Sequence, residues 1–447
     1  MKEKFCMFFN LVLIVLTIGC NTTSKTNEEN KVGQPNIIII MADDLGYNDL
    51  GCYSNRIINT PNIDNLAKNG IRFSDFHSNG AVCSPTRAAL MTGRYQQKAG
   101  IEGVVTAKSH RNTGISTNET TIADFFKTHN YKTGIIGKWH LGYDTIFSPV
   151  NNGFDYFKGF VSGNIDYHSH IDQEGYSDWW LNKDTVSEKG YSTDLITKAS
   201  IKFISENKSQ PFFLYIAHEA PHYPYQGRKD PAVRKINGQF NTHGSRVDKE
   251  NAYREMIEVM DEGIGELIDY LDQQKLLANT FILFFSDNGA SNIGSNYPLK
   301  GNKGSLWEGG HRVPAIAFWK NEINPGVVSE TILTMDIFPT LVAMTDRHNI
   351  EKYDFDGTSF LSLLLSDFDD KSFVNRTLFW RFQNKKAVRL NEWKLIIVND
   401  KKYLFNLNED ISERNNLIEK YPAIKDSLSN SLEKWELDIA KFEIKTD

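Results

Sequence analysis

Four short strand-like runs, each followed closely by polar residues, restrict the fold of this chain more than any other feature. The runs at 36–41 and 281–285 are almost continuously apolar, which is typical of strands that are buried on both faces of a parallel sheet. The runs and the polar residues that follow them are 36–41 before Asp43 and Asp44, 131–136 before Lys138 and His140, 212–217 before His218 and His222, and 281–285 before Asp287 and Asn288. Helical patterns separate the runs, so the sequence predicts an α/β fold with a large, mostly parallel central sheet flanked by helices.

The polar residues after these runs are predicted to meet in space. In parallel α/β sheets the ligand crevice lies outside the carboxyl ends of the strands. Side chains as far apart in the sequence as Asp43 and Asp287 are therefore expected at one edge of the sheet.

The pattern changes after Asp356 and Gly357. Four short strand-like runs follow, at 377–381, 387–390, 393–398 and 403–407, and a helical pattern covers 421–442. This order is typical of a small C-terminal antiparallel sheet with a terminal helix. We therefore expect a large domain over 35–368 and a C-terminal subdomain over 369–447.

The first twenty residues are typical of an export signal. Lys2 and Lys4 precede an apolar run that ends at Cys20, and the pattern differs from that of a spanning helix. The small residue before Cys20 is typical of a bacterial lipoprotein signal, and plain cleavage is the alternative. Residues 21–34 are polar, as in a flexible tether. We expect an exported protein in the periplasm or at the outer membrane or cell surface, with membrane contact through a lipid at Cys20.

Charge and cysteine content exclude two classes of protein. The formal net charge of −6, with no block of like charge, provides no basic surface for nucleic acid. Beyond the signal the chain has only Cys52 and Cys83, which are too few for a disulfide framework. A bridge between these two cysteines is the structural alternative, although a core of this size does not need one.

Cys83 lies in a segment, 81–95, that places a thiol, a proline and an arginine at the predicted start of a helix. Pro85 suits the first helical turn and Gly93 suits the helix end. A helix N-terminus with Arg87 one turn further on favours a tetrahedral oxyanion such as sulfate or phosphate. The segment predicts chemistry on an anionic ester, and a buried structural cysteine is the alternative.

Two pairs of oxygen donors follow two of the predicted strands. Asp43 with Asp44, and Asp287 with Asn288, suit Ca²⁺ or Mg²⁺ rather than zinc. Each pair alone is also typical of a cap or a tight turn. Two pairs at strand ends near a candidate nucleophile favour the metal site.

Further cations and histidines follow the other strands. Arg87, Lys138 and Lys303 are candidate cations for the outer oxygens of a sulfate, and His140 and His222 are candidate proton carriers. The alternatives are exposed loop lysines and satisfied core histidines. We assign His218 no role. His311 and Arg312 are expected to pack loops, with the pocket lining as the alternative.

These motifs together resemble the type I sulfatases, in their arylsulfatase A and N-acetylgalactosamine-6-sulfatase branch. The resemblance rests on Cys83-Ser84-Pro85-Thr86-Arg87 with its following helix and TGR, on GKWHLG, APHYP and LKGNKG, and on the C-terminal pieces MDIFPTL and DGTS. It covers about residues 36–416. It implies an alkaline-phosphatase-like fold with a catalytic domain over 35–368, and oxidation of Cys83 to formylglycine (3-oxoalanine) by a maturation enzyme. It also implies one divalent cation, Ca²⁺ before Mg²⁺, at Asp43, Asp44, residue 83, Asp287 and Asn288.

The resemblance further implies a sulfatase mechanism. A hydrated aldehyde at position 83, held by the metal, Arg87 and Lys138, attacks sulfur. His222, assisted by Lys303, protonates the departing oxygen, and His140 takes the proton that releases sulfate. Two other functions stay open, a phosphonate or phosphodiester hydrolase of the same superfamily and a non-catalytic glycan-binding protein.

The expected substrate is a sulfated carbohydrate. Export and the aromatic pairs Tyr156-Phe157, Tyr167-His168 and Trp179-Trp180 suit a sugar polymer, because sugar rings stack on aromatic side chains. Core packing or subunit contacts are the alternative for these aromatic residues. Algal polysaccharides such as ulvan or carrageenan, and glycosaminoglycans, are the candidate polymers.

Overall fold

The computed structural model describes residues 34–238, 244, 246–365 and 371–442, and the first predicted strand lies at the centre of its large sheet. The strands are β1 (Asn36–Ala42), β2 (Ile71–Phe73), β3 (Phe76–His77), β4 (Lys132–Lys138), β5 (Tyr156–Phe160), β6 (Trp180–Leu181), β7 (Asp184–Thr185), β8 (Phe212–Ala217), β9 (Thr280–Ser286), β10 (Ala315–Trp319), β11 (Gly326–Val328), β12 (Ile332–Leu333), β13 (Thr377–Phe382), β14 (Lys385–Leu390), β15 (Trp393–Val398) and β16 (Lys401–Asn406). The order in the large sheet is β11-β2-β10-β9-β1-β8-β4-β5-β6-β7.

Parallel pairing aligns the ends of the central strands. Met41 of β1 lies opposite Ala217 of β8 and Phe285 of β9. β4 also pairs with β8 in parallel, with Gly137 opposite Ala217. The residues that follow these four strands therefore emerge at one edge of the sheet, as predicted.

Helices cover both faces of the sheet. The helices are α1 (Pro61–Lys68), α2 (Cys83–Thr92), α3 (Ile122–Thr128), α4 (Ser192–Asn207), α5 (Lys249–Gln273), α6 (Glu308–His311), α7 (Ile337–Thr345), α8 (Leu361–Leu364) and α9 (Pro422–Ile439). Ile37, Ile39 and Met41 of β1 pack in a core with α2, α3 and α7. Ile38 and Ile40 pack in a second core with α1, α4 and α5. This explains the unbroken apolar run, because alternate side chains of β1 point into different cores.

The C-terminal strands β13 to β16 form an antiparallel meander, with α9 packed against it. Both features were predicted. The described residues from Gln34 to Phe442 belong to one compact unit. The predicted boundary at residue 368 lies outside the described residues and stays a prediction.

Some details differ from the sequence prediction. α5 begins at Lys249, four residues before the predicted Tyr253, because the Asp248 side chain caps it by accepting a hydrogen bond from the Asn251 N–H at 3.0 Å. β10 runs antiparallel to β9, although no pattern in the sequence indicated its direction. The export signal and most of the tether lie outside the described residues. Within the described part of the chain, no helix is both long and apolar enough to cross a bilayer.

Candidate active site

The loops after β1, β8 and β9 are fastened to one another by backbone hydrogen bonds. The Asp43 N–H donates to the Ala220 carbonyl at 3.1 Å, and the Asp287 N–H donates to the Ala42 carbonyl at 3.1 Å. Asp44 has a left-handed backbone with φ of 67°. The site is therefore assembled from strand ends whose positions are set by the sheet.

Cys83 is the first residue of α2, and its side chain is buried with 2% exposure. Val82 at the N-cap makes no side-chain cap hydrogen bond, so the N–H groups of the first turn face the site without a capping side chain. Gly93 ends the helix with φ of 66°, as predicted. Burial raises the pKa of the Cys83 thiol to about 11, although Lys138 and Lys303 lower it. Cys83 and Cys52 are both free, so no bridge consumes the candidate nucleophile.

Oxygen donors converge beside Cys83. Ligand atoms of Asp43, Asp44, Cys83 and His222 all lie within 4.8 Å of one another. Asp43 Oδ1, Asp44 Oδ2 and Asn288 Oδ1 are buried and accept no hydrogen bond. Buried oxygens without a donor are costly unless a cation satisfies them, so these residues fit a hard divalent metal.

Three cations pair with the carboxylates of this cluster. Lys138 Nζ lies 2.5 Å from Asp43 Oδ2, and Lys303 Nζ lies 2.6 Å from Asp44 Oδ1. Arg87 donates to Asp287 Oδ2 at 2.8 Å. These partners lie close together because α2, β1, β4 and β9 all present their ends to this edge.

The cations keep the nearest carboxylate ionised. Burial raises the pKa of Asp43, but Lys138, His222 and Arg87 outweigh it and hold the pKa far below the usual value. Burial, with the nearby charge of Asp43, raises the pKa of Asp287 to about 7. Asp43 therefore stays negatively charged beside the unpaired oxygens.

Each candidate histidine has a defined tautomer. His140 Nε2 lies 2.9 Å from the Val105 carbonyl, so Nε2 carries the proton and the buried Nδ1 has no partner. His222 Nδ1 lies 2.6 Å from the Tyr223 carbonyl, which places its proton on Nδ1. Burial lowers both pKa values, that of His222 to about 4 with help from Lys303, and that of His140 well below its usual value with help from Lys138. Both rings are therefore neutral near pH 7.

A cavity of about 190 Å³ opens over these groups, and Cys83, His140, His222 and Lys303 are among its lining residues. Four of the predicted catalytic residues thus line one cavity, and the other two, Arg87 and Lys138, are buried and paired with Asp287 and Asp43. Their individual roles stay predictions.

The remaining cavity wall was not predicted. It includes Tyr143, Tyr223 and the segment 172–174. Tyr143 could have been found, because it follows β4 at the same edge as His140. Residues 172–174 belong to no motif or periodic pattern that would have predicted their position in the cavity wall.

The predicted aromatic pairs do not line this cavity within the described residues. Phe157, Tyr167 and Trp179 are buried in the cores instead, which favours the packing alternative. His218 is also buried away from the cavity. His311 and Arg312 lie in a separate buried cluster with Glu308, as expected for loop-packing residues.

The geometry defines a class of enzyme. A residue at a helix N-terminus faces cations, neutral histidines and oxygen ligands for a hard metal, and this combination suits hydrolysis of an ester of a tetrahedral oxyanion. Residues 35–346 match the Sulfatase family. The chain belongs to the sulfatase family.

Known sulfatases are similar in sequence to this protein over most of the chain. Bovine arylsulfatase A is 30% identical over 479 residues, which cover 92% of this chain and 88% of that protein. Rat N-acetylgalactosamine-6-sulfatase is 31% identical over 392 residues, covering 80% of this chain and 71% of that protein. The crystal structure of Ps i-CgsB has a TM-score of 0.81 and 32% identity, covering 90% of this chain and 93% of that chain. The protein is a sulfuric ester hydrolase with an alkaline-phosphatase-like fold, as predicted.

Proposed function

We propose that this sulfatase removes sulfate from a sulfated carbohydrate after Cys83 has been oxidised to formylglycine. The observation that carries the proposal is the position of Cys83. It lies at the N-terminus of α2, in the lining of the cavity, among Arg87, Lys138 and Lys303. Three cations and a helix N-terminus at one point favour a bound sulfate group.

The state of the thiol supports the modification. With a pKa of about 11, Cys83 is protonated near pH 7, and a thiol rather than a thiolate is a weak nucleophile. Formylglycine at this position would supply a hydrated aldehyde whose hydroxyl attacks sulfur. A maturation enzyme would have to make it, as the sulfatase resemblance implies.

Asp43, Asp44, Asp287 and Asn288 would hold a divalent metal together with residue 83. Hard oxygen donors suit Ca²⁺ better than a transition metal, and Mg²⁺ is the second choice. The metal would supply positive charge beside the attacking oxygen.

The remaining steps fall to side chains of the chain itself. Arg87 and Lys138 are ion-paired to Asp287 and Asp43, so their charges are held in place to orient the sulfate oxygens. His140 offers its unpartnered Nδ1 as the acceptor for the proton whose loss releases sulfate. His222 and Lys303 lie on the cavity wall, where they would assist the departing sugar oxygen.

Two observations favour a carbohydrate. Tyr143 and Tyr223 line the cavity and offer aromatic surface to a sugar ring. Ps i-CgsB, with 32% identity, has also been crystallised with k-i-k-neocarrahexaose. We propose a polysaccharide or its oligosaccharides, either algal or glycosaminoglycan, and an exported, lipid-anchored protein as the N-terminal sequence predicts.

The test is release of free sulfate by formylglycine-loaded protein from a panel of sulfated polysaccharides and their oligosaccharides. Cys83→Ala is the inactive variant, and Cys52→Ala is the matched control because Cys52 is the other free cysteine among the described residues. We expect release by the wild type and by Cys52→Ala, and none by Cys83→Ala. Full activity of Cys83→Ala would overturn the proposed nucleophile. No release at all, with the aldehyde confirmed by mass, would direct the test to phosphonate and phosphodiester substrates.

A further inference from the structure

The cavity changes in charge from its floor to its mouth. Cys83 at the floor is 2% exposed, and Lys303 beside it is paired with Asp44 at 2.6 Å. Glu174 also lines the cavity, but it is an exposed residue and therefore lies at the mouth. A substrate thus meets paired charges at the floor and a carboxylate at the entrance.

The backbone that carries Glu174 is held firmly. Asp172 Oδ1 accepts hydrogen bonds from the N–H groups of Glu174 at 2.9 Å and Tyr176 at 2.8 Å. The Asp172 N–H donates to the Tyr176 carbonyl at 2.9 Å, which closes the turn. Arg234, itself 2% exposed, donates to the Ile171 carbonyl at 3.2 Å. The backbone of Glu174 is therefore a fixed part of the wall.

The Glu174 carboxylate is free to meet a ligand. No lysine, arginine or histidine among the described residues lies within ion-pair distance of it. The Asp172 carboxylate lines the same wall, but its Oδ1 is occupied by the turn. Glu174 therefore carries a negative charge at the mouth that has no ion-pair partner among the described residues.

The size of the cavity decides what reaches this carboxylate. Its volume of about 190 Å³ is below the roughly 300–1,000 Å³ of pockets for drug-sized ligands, so it takes about one sugar unit. The outer substituents of that unit, or the next unit of the chain, lie at the mouth beside Glu174.

We propose that Glu174 is a specificity residue that selects an uncharged, hydroxyl-bearing sugar at the mouth and disfavours a second anionic group there. The inference rests on the proposed function. A carboxylate accepts hydrogen bonds from hydroxyl groups and repels a sulfate ester or a uronate. The substrate class is accordingly a sparsely sulfated sugar chain.

The positive charge of Arg111 would favour the opposite preference, for a second anionic group on the substrate. Its guanidinium lies 4.7 Å from the ring centre of Tyr176 and 5.8 Å from that of Tyr143. It does not line the cavity described above, whereas Glu174 does. We therefore expect the charge of Glu174 to affect substrate selectivity more than that of Arg111. The substrate preference of the wild type tests this expectation.

The experiment compares kcat/KM on two pairs of oligosaccharides that share the sulfated unit. One pair differs by a second sulfate ester, and the other has a uronate in place of a neutral neighbouring sugar. We expect the wild type to prefer the less charged member of each pair. Glu174→Lys should reverse that preference, and Glu174→Gln should weaken it by about two- to fivefold, the range for exposed charges. If the Glu174 variants change the preference in only one pair, that pair identifies the anionic group that Glu174 disfavours.

Glu322→Lys is the matched control, because it makes the same change in net charge. Glu322 is exposed and follows β10, whose end lies beside the amino end of β9, at the edge opposite the site. A wild-type preference for the more charged members, or equal effects of Glu174→Lys and Glu322→Lys, would overturn the inference. No sulfate release from any of these oligosaccharides by the formylglycine-loaded wild type would refute the proposed function instead.

Discussion

Lys303 is the most accessible of the three site cations, and its charge can be removed without opening the core. Its side chain is 19% exposed, whereas those of Arg87 and Lys138 are 1% and 0% exposed. The Lys303 N–H donates to the Ala290 carbonyl, which places the residue independently of its charge.

We therefore expect Lys303→Met to lower kcat/KM for sulfate release by about a hundredfold or more, the usual loss when one positioned stabilising group is removed. Lys320→Met is the control, since Lys320 pairs with Asp272 on the exposed surface. Steady-state kinetics and a thermal melt measure both variants. Equal kinetics for the two would exclude a role for Lys303 at the reacting group.

His218 provides a pH test that is separate from catalysis. It is 2% exposed, and burial lowers its pKa to about 4. The unfolded chain binds a proton at about pH 6.5 and the folded protein does not, so stability is lost as the pH falls. When the pH is lowered from 7.5 to 5, this residue should lower the free energy of unfolding of the wild type by roughly 2 kcal/mol.

The neutral variant His218→Gln should lack that part of the pH dependence. Urea unfolding at the two pH values measures the difference between variant and wild type. The same pH dependence in both proteins would mean that His218 titrates normally in the fold.

At the scale of elements, the C-terminal sheet contributes directly to the active-site loop. Lys385 of β14 donates to the Gly304 carbonyl at 2.6 Å, next to Lys303. Lys394 of β15 pairs with Glu308 at 2.7 Å and with Glu413 at 3.0 Å, and all three side chains are fully buried. The loop that carries Lys303 is thus held by strands that follow it in the sequence.

Lys394→Met should therefore destabilise the fold strongly. It removes the cation of Glu413 and one of the cations of Glu308, which keeps Arg312 at 3.2 Å, and breaking a buried ion pair in this way costs about 3–5 kcal/mol. Lys386→Met is the matched control, because Lys386 pairs with Glu436 but is 36% exposed and should cost less than about 1 kcal/mol. Denaturant unfolding measures both. Similar costs for the two variants would show that burial of the network is unimportant.

At the scale of the whole molecule, the proposed metal joins segments that are distant in the chain. Asp44 and Asn288 are 244 residues apart, so the site exists only in the folded protein. A ligand that binds only the folded state stabilises it in proportion to the logarithm of its concentration.

We accordingly expect Ca²⁺ to raise Tm by several degrees relative to protein in chelator, with saturation. Asp44→Asn should reduce this shift, whereas Asp184→Asn, an exposed residue of β7, should retain it. Differential scanning calorimetry measures the shift without reference to activity. An unchanged Tm with Ca²⁺ or Mg²⁺ would contradict the metal site.

Much of this molecule could be predicted from local patterns. The apolar runs of β1, β8 and β9 predicted buried parallel strands, because only strands covered on both faces are apolar at every position. The polar residues after these strands were predicted to lie close together, because the carboxyl ends of parallel strands meet at one edge of a sheet. The residues around Cys83 were predicted from a sequence motif. The sequence alone therefore determined the central sheet and the residues that surround Cys83.

Only the tertiary structure decided which other residues surround that centre. Glu174 reaches the cavity mouth through a turn closed by Asp172, and Lys394 reaches Glu308 across 86 residues. The direction of β10 and the burial of Trp179 were likewise decided by packing against distant segments. These contacts leave no periodicity or motif, because each depends on the pairing of two segments rather than on the composition of either one.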